Sequence, residues 1–150
     1  MLRLSKKIEY ALLALQHMTL HETGQGNVYT VKEMSEHFGI SFDLLAKVMS
    51  RLAKHGIVKS TQGVNGGFIM AKPAHEVTIY DVIVAIEGLS ANLVECGSHP
   101  DLQCTMEGSC GIKHPLMRLQ SVINNAMASM AIADLHERSP RLVDLELIRE

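Results

Sequence analysis

The chain contains no tryptophan, and aromatic residues make up only 4% of its 150 positions. Its core must therefore be assembled from Leu, Ile, Val, Ala and the nine methionines. Neither sign of charge is in excess: 14 Lys and Arg against 16 Asp and Glu leave a formal net charge of −2, which by itself argues against a nucleic-acid partner. No apolar run approaches the ~20 residues of a membrane span. Gln16 and His17 interrupt the first apolar stretch too early for a secretory signal. A soluble cytoplasmic protein with no membrane partner is expected, in a compartment that keeps thiols reduced. The histidines are scattered, and there is neither a nucleophile motif nor a phosphate-binding loop, so an enzyme is not expected.

What is present is globular, with 47% hydrophobic and 20% charged residues. The charge is unevenly spread. Between Leu44 and Lys72 lie Lys47, Arg51, Lys54, Lys59 and Lys72 with no Asp or Glu, whereas acidic residues recur after Ala133. A basic middle against an acidic end suggests a localised anion-binding face.

Leu4, Ile8, Ala11, Leu12, Leu15 and Met18 recur at helical spacing, predicting a first helix over 5–20 with Ser5 as its cap. Glu9 lies to one side of that stripe. Val28 and Tyr29 offer a very short strand. Thr30 and Glu33 form a capping-box pattern opening a second helix, which Gly39 stops. Ser41 opens a third, closed by Gly56, with Leu45, Val48, Met49 and Leu52 inward and Leu44, Lys47, Arg51 and Lys54 outward. Two helices joined by a tight turn make a helix-turn-helix candidate. Ile57–Thr61 and Phe68–Lys72 read as strands around a glycine-rich tip, where Gln62 and Asn65 can hydrogen-bond. A hairpin directly after a helix-turn-helix is the winged-helix arrangement. Thr78 caps a further helix ending before Gly88.

All three cysteines fall in one polar loop, with seven residues between Cys96 and Cys104 and five between Cys104 and Cys110. His99 and His114 lie in or beside it. Thiolates are soft donors suited to iron–sulfur clusters, zinc or copper. The spacings fit neither a structural zinc ribbon nor a bacterial ferredoxin run. The alternatives are small buried side chains, or one disulfide with a spare thiol. After the loop, Pro115 suits a first helical position, and Leu116, Leu119, Ile123, Ala126 and Met130 follow steps of three and four. That seam predicts a long dimerisation helix; packing on its own domain, through Val122 and Met127, is the alternative.

These pieces resemble the IscR/NsrR-type (Rrf-two) family of winged-helix transcription regulators. The likeness rests on LSKKIEYALLAL, FGISFDLLAKVMSRLAKHGIV, the wing QGVNGGF, AKPAHEVTIYDVIVAIEG and the three cysteines before the last helix. It implies a homodimer on a double-stranded DNA operator, with a 2Fe–2S or 4Fe–4S cluster held by Cys96, Cys104 and Cys110. By position, the fourth ligand is Glu9 of the partner subunit, favoured over His114, which precedes Pro115 and is expected in extended backbone. The first cysteine spacing is longer than the familiar pattern. By position the resemblance brings Ser41, Asp43, Leu44 and Lys47 of the recognition helix and Gln62 of the wing to the DNA, and the outward helix face and glycine-rich tip add Arg51 and Asn65.

The expected fold is mostly α with a small β wing: a winged helix-turn-helix over 1–88, a cysteine loop over 89–114, a dimerisation helix over 115–137 and a tail over 138–150. The expected function is a redox-, nitric-oxide- or cluster-status-sensing repressor or activator. A zinc- or thiol-based regulator of the same fold is the alternative, followed by a small dimeric electron-transfer protein. The last would leave the basic helix and wing without a purpose.

Overall fold

The computed structural model describes residues 3–20, 27–88 and 109–136. Cys96, Cys104, His99 and the tail over 138–150 lie outside them. The described residues form α1 (Lys6–Leu20), α2 (Val31–Phe38), α3 (Phe42–Lys54), the strands β1 (Val58–Thr61) and β2 (Gly67–Met70), α4 (Ile79–Glu87) and α5 (Lys113–Ala128). Short 3-10 helices cover Ala74–Glu76 and Ile132–His136. This is the expected mostly α fold with a small β wing.

Local chemistry sets most of the boundaries. At α2 the Thr30 hydroxyl accepts from the Glu33 backbone N–H at 3.1 Å, while the Glu33 carboxylate accepts the Thr30 backbone N–H at 3.2 Å. Gly39 ends the helix in the left-handed region at φ 65°, where a side chain would be strained. Thr78 and Asp81 repeat the capping box at α4. Satisfying the first N–H groups fixes where each helix begins.

The core lies where α1, α3 and α4 meet. Ile8, Ala11, Leu15 and Met18 of α1 pack with Met34 of α2, then Leu45, Val48, Met49 and Leu52 of α3 and Val82, Ile83 and Ile86 of α4. The four inward residues expected of α3 are all buried. β1 and β2 pair antiparallel, Val58 opposite Met70 and Thr61 opposite Gly67. Tyr29 extends this ribbon through two backbone bonds with Phe68, at 2.9 and 2.8 Å, so the predicted short strand is a single bridge.

The C-terminal stretch corrects the expected helix. α5 ends at Ala128, not at 137, and Met130 lies beyond it. There the chain turns extended: Ile79 donates to the Met130 carbonyl at 2.9 Å and Ile132 donates to the Val77 carbonyl at 2.8 Å. The backbone groups of 77–79 precede α4 and need partners, and residues 130–132 supply them. Ile132 is fully buried, and Gln16 of α1 donates to the Leu135 carbonyl at 2.7 Å. The end of this stretch thus belongs to the winged-helix core. His114 is also corrected: it lies in the first turn of α5, not in extended backbone. Pro115 is tolerated one residue later because the opening N–H groups of a helix have no intrahelical acceptor.

Candidate nucleic-acid interface and cysteine site

α3 separates its faces cleanly. With Leu45, Val48, Met49 and Leu52 buried, Ser41, Asp43, Lys47, Ser50, Arg51 and Lys54 are left exposed and Leu44 half-buried. Ser41 makes no side-chain capping bond. Its exposed hydroxyl, the Asp43 carboxylate and the Lys47 ammonium together offer a donor, an acceptor and a cation over about the first two turns of the helix. That set can read base edges or hold phosphate. Phe42 is 53% exposed beside them. An exposed ring there can contact a thymine methyl group.

Arg51 is placed differently from Lys47. Its guanidinium donates to the Ile86 carbonyl in the last turn of α4, satisfying an acceptor that the helix leaves open. With Ser5, Lys6, Lys7, Ile86 and Glu87 it lines an open groove of about 480 Å³. The structure therefore groups Arg51 with two lysines of α1 that the sequence reading did not single out. Their signal was the Lys6-Lys7 pair itself, which an N-terminal helix cap obscured.

The wing is braced at its base. Gly67 donates to the Thr61 hydroxyl at 3.1 Å, and a Cβ at Gly67 would stand 2.5 Å from the Tyr29 carbonyl. At the tip, Gly66 donates to the Gly63 carbonyl at 3.0 Å, closing a turn around Val64 and Asn65. Gln62 and Asn65 are both exposed. β1 follows closely on α3 and packs against it.

Of the residues expected to hold a cluster, Cys110, Glu9 and His114 are described. Cys110 is a free, half-buried thiol. Its softness suits an iron–sulfur cluster or zinc. The Glu9 carboxylate is 43% exposed and pairs with Lys6 at 2.5 Å. The hydrogen bond to Glu9, followed by its negative charge, raises the Lys6 pKa above its ordinary value. His114 is exposed on α5. Among the described residues, no three His, Cys, Asp or Glu side chains converge as a metal site. Nor, among them, is any helix long and apolar enough to cross a membrane.

On α5 no residue is fully buried. The expected seam is split. Leu116 and Ile123 are half-buried, whereas Leu119 is 47% exposed and Ala126 is also on the open side. Met127 packs against the core, as the alternative reading had it, but Val122 is 45% exposed. Ile112, Pro115, Leu119, Val122 and Ala126 are spaced by three and four residues, and all are exposed. That outward stripe shares Leu119 and Ala126 with the predicted seam.

Comparison with known proteins places the chain among regulators. The Rrf2 family model, described as an iron-dependent transcriptional regulator, matches residues 4–138. The protein aau3 of Rhizobium meliloti (strain 1021) is 27% identical over 141 residues, covering 94% of this chain and 89% of that protein. Among solved structures, T. potens IscR superposes with a TM-score of 0.65 at 26% identity, covering 89% of this chain and 85% of that one. CymR (YrzC), the global cysteine regulator of B. subtilis, reaches a TM-score of 0.70 at 23% identity, with 93% and 100% covered. At that identity the second likeness is one of fold.

Proposed function

The chain belongs to the Rrf2 family of transcriptional regulators, and from that premise we propose that it is a homodimeric operator-binding protein whose cysteine loop senses redox state, nitric oxide or iron–sulfur status. The observation that carries the DNA-binding part is the division of α3 into a buried apolar face and an exposed face bearing Ser41, Asp43 and Lys47, with the first strand of the wing packed against the same helix. A dimer presents two such helices to successive major grooves. The outward stripe of α5 is the surface for that pairing.

The sensing part rests on Cys96, Cys104 and Cys110, supported by the iron dependence named for the family and by the likeness to an IscR. These three thiolates would hold an iron–sulfur cluster, which supplies one-electron and nitric-oxide chemistry when bound. Glu9 of the partner subunit is the favoured fourth ligand, reached by breaking the Lys6 pair; His114 is the other. The loop leads from α4 into α5, so altered bonding at its thiols changes how α5 meets the winged domain. That sets the angle between subunits and the spacing of the two α3 helices.

Anaerobic purification with iron and sulfide analysis, a visible spectrum and operator titration tests this. Stoichiometric iron and sulfide, visible absorption, and different operator affinities for the loaded and cluster-free forms are expected. Colourless protein containing zinc, or reversible dithiol oxidation without iron, would replace the cluster by a zinc or thiol sensor. Cys110→Ser should abolish the visible absorption; Glu9→Ala should weaken it more than His114→Ala does.

A further inference from the structure

Among the described residues Val64 is fully open to solvent: its relative exposure is 105%, the highest of their exposed large hydrophobic side chains. A single exposed apolar side chain is ordinary on a protein surface. The position of this one is not. It occupies a corner of the turn closed by the Gly66 N–H and the Gly63 carbonyl, at the outermost point of the wing. Turn corners are usually filled by Gly, Pro, Asn, Asp or Ser, and a β-branched residue contributes nothing to turn formation. The turn is built from glycine to accommodate it. Gly63 adopts φ 120°, and a Cβ at Gly66 would lie 2.7 Å from the Thr61 carbonyl. The base of the hairpin is held by the Tyr29–Phe68 bridge. An apolar group is thus presented on a stiff support, and ordering it on binding costs little entropy.

The surroundings identify what it meets. Gln62 and Asn65 flank it with amide donors, Lys59 lies exposed on β1, and no acidic residue occurs between Leu44 and Lys72. A protein groove or a lipid surface would call for a larger apolar area than one valine. Duplex DNA would not. Minor-groove walls are deoxyribose, and minor-groove proteins insert apolar side chains as wedges between base steps.

We infer that Val64 is a minor-groove wedge that favours A·T over G·C pairs where the wing meets the operator; this rests on the DNA-binding reading above. The floor of an A·T minor groove carries acceptors alone, which the Gln62 and Asn65 amides can satisfy. A G·C pair adds the guanine amino group. Covering that donor with a valine leaves it unbonded and raises the cost of binding.

The experiment uses full-length protein and duplexes recovered by the wild-type chain from a randomised pool. At the wing-proximal positions, A·T pairs are replaced by G·C or by inosine·C, which keeps the major-groove pattern of G·C but removes the minor-groove amino group. Wild-type protein should bind the A·T and inosine·C duplexes alike and the G·C duplex about fivefold more weakly. Val64→Ala should lose most of that difference with an unchanged salt slope, since no charge is removed. Its melting temperature should stay at the wild-type value, because the side chain is open to solvent. Val64→Ala that keeps the full discrimination, or Gln62→Ala alone abolishing it, overturns the wedge while leaving DNA binding intact. Recovery of no sequence, with no salt-dependent affinity, would overturn the DNA-binding reading itself.

Discussion

In α3, 13 residues long, four apolar side chains are buried, and the opposite face is left polar and basic. In α5, 16 residues long, none is buried, and its outer face still carries Leu119 and Val122. Both helices are amphipathic, so amphipathicity does not distinguish a helix that completes its own core from one that needs another surface. The difference is placement. α3 lies between α1 and α4, which cover its apolar face, whereas α5 lies against α4 on one side. An apolar stripe on the free side of a helix is stable in water only when something covers it. The α5 stripe is the apolar surface that the proposed homodimer would cover, while the exposed side of α3 is polar enough to face water.

Truncating each helix should separate these roles, and the largest effect belongs to α3. Met49 is completely buried, and Met49→Ala should cost ~2–5 kcal/mol of folding stability, read by thermal or denaturant unfolding. Leu119→Ala should change monomer stability by less than about 0.5 kcal/mol, as befits a surface site. If the two substitutions cost the same, the contrast between the helices fails. Leu119→Glu should then raise the dimer dissociation constant at least about tenfold, measured by sedimentation, because a carboxylate would be desolvated without a partner. Ile123→Glu tests the earlier seam, and a larger effect there than at Leu119 would move the interface back to it.

Within α3, Lys47 and Arg51 sharpen the comparison. Lys47→Ala should lower the salt dependence of DNA binding by about one unit and leave melting unchanged. Arg51→Ala should also cost about 1 kcal/mol of stability, since it strips the Ile86 carbonyl of its donor.

The smallest effect is a pH dependence at α2. The hydrogen bond from the Thr30 hydroxyl, followed by that from its backbone N–H, holds the Glu33 carboxyl below its ordinary value of 4.5. A depressed carboxylate contributes stability above that ordinary value and loses it as pH falls through the lower, folded one. Glu33→Gln should remove this acid-side loss, seen as a flatter melting profile below about pH 4.5. The contribution is small because Glu33 is exposed. α5 has no side-chain cap at its start and no acidic residue in its first turn, so no matching effect is expected there.

Capping boxes, glycine stops and the inward residues of α3 were all legible because each depends on neighbours within a few positions. Met130 was misread for the opposite reason. Its spacing continues the α5 stripe, yet the open backbone groups of 77–79, some fifty residues earlier, draw residues 130–132 into an extended pairing. Nothing in local periodicity encodes an acceptor that far away. Arg51 was read from the same outward face as Lys47, and its tie to Ile86 required α4 to be in place. Val64 was visible only as one letter in a glycine-rich tip until the fold left it bare.

The sequence by itself determined the order of elements, the starts of the first four helices, the winged-helix pattern and the clustering of cysteine in one segment. These follow from short-range hydrogen bonding and from periods of two and 3.6 residues, which a linear chain records directly. Only the tertiary structure decided which side of α5 stays open, where that helix ends, and which basic side chains of α3 already hold a carbonyl. Those outcomes depend on which distant backbone groups and apolar faces remain unsatisfied once the core has closed.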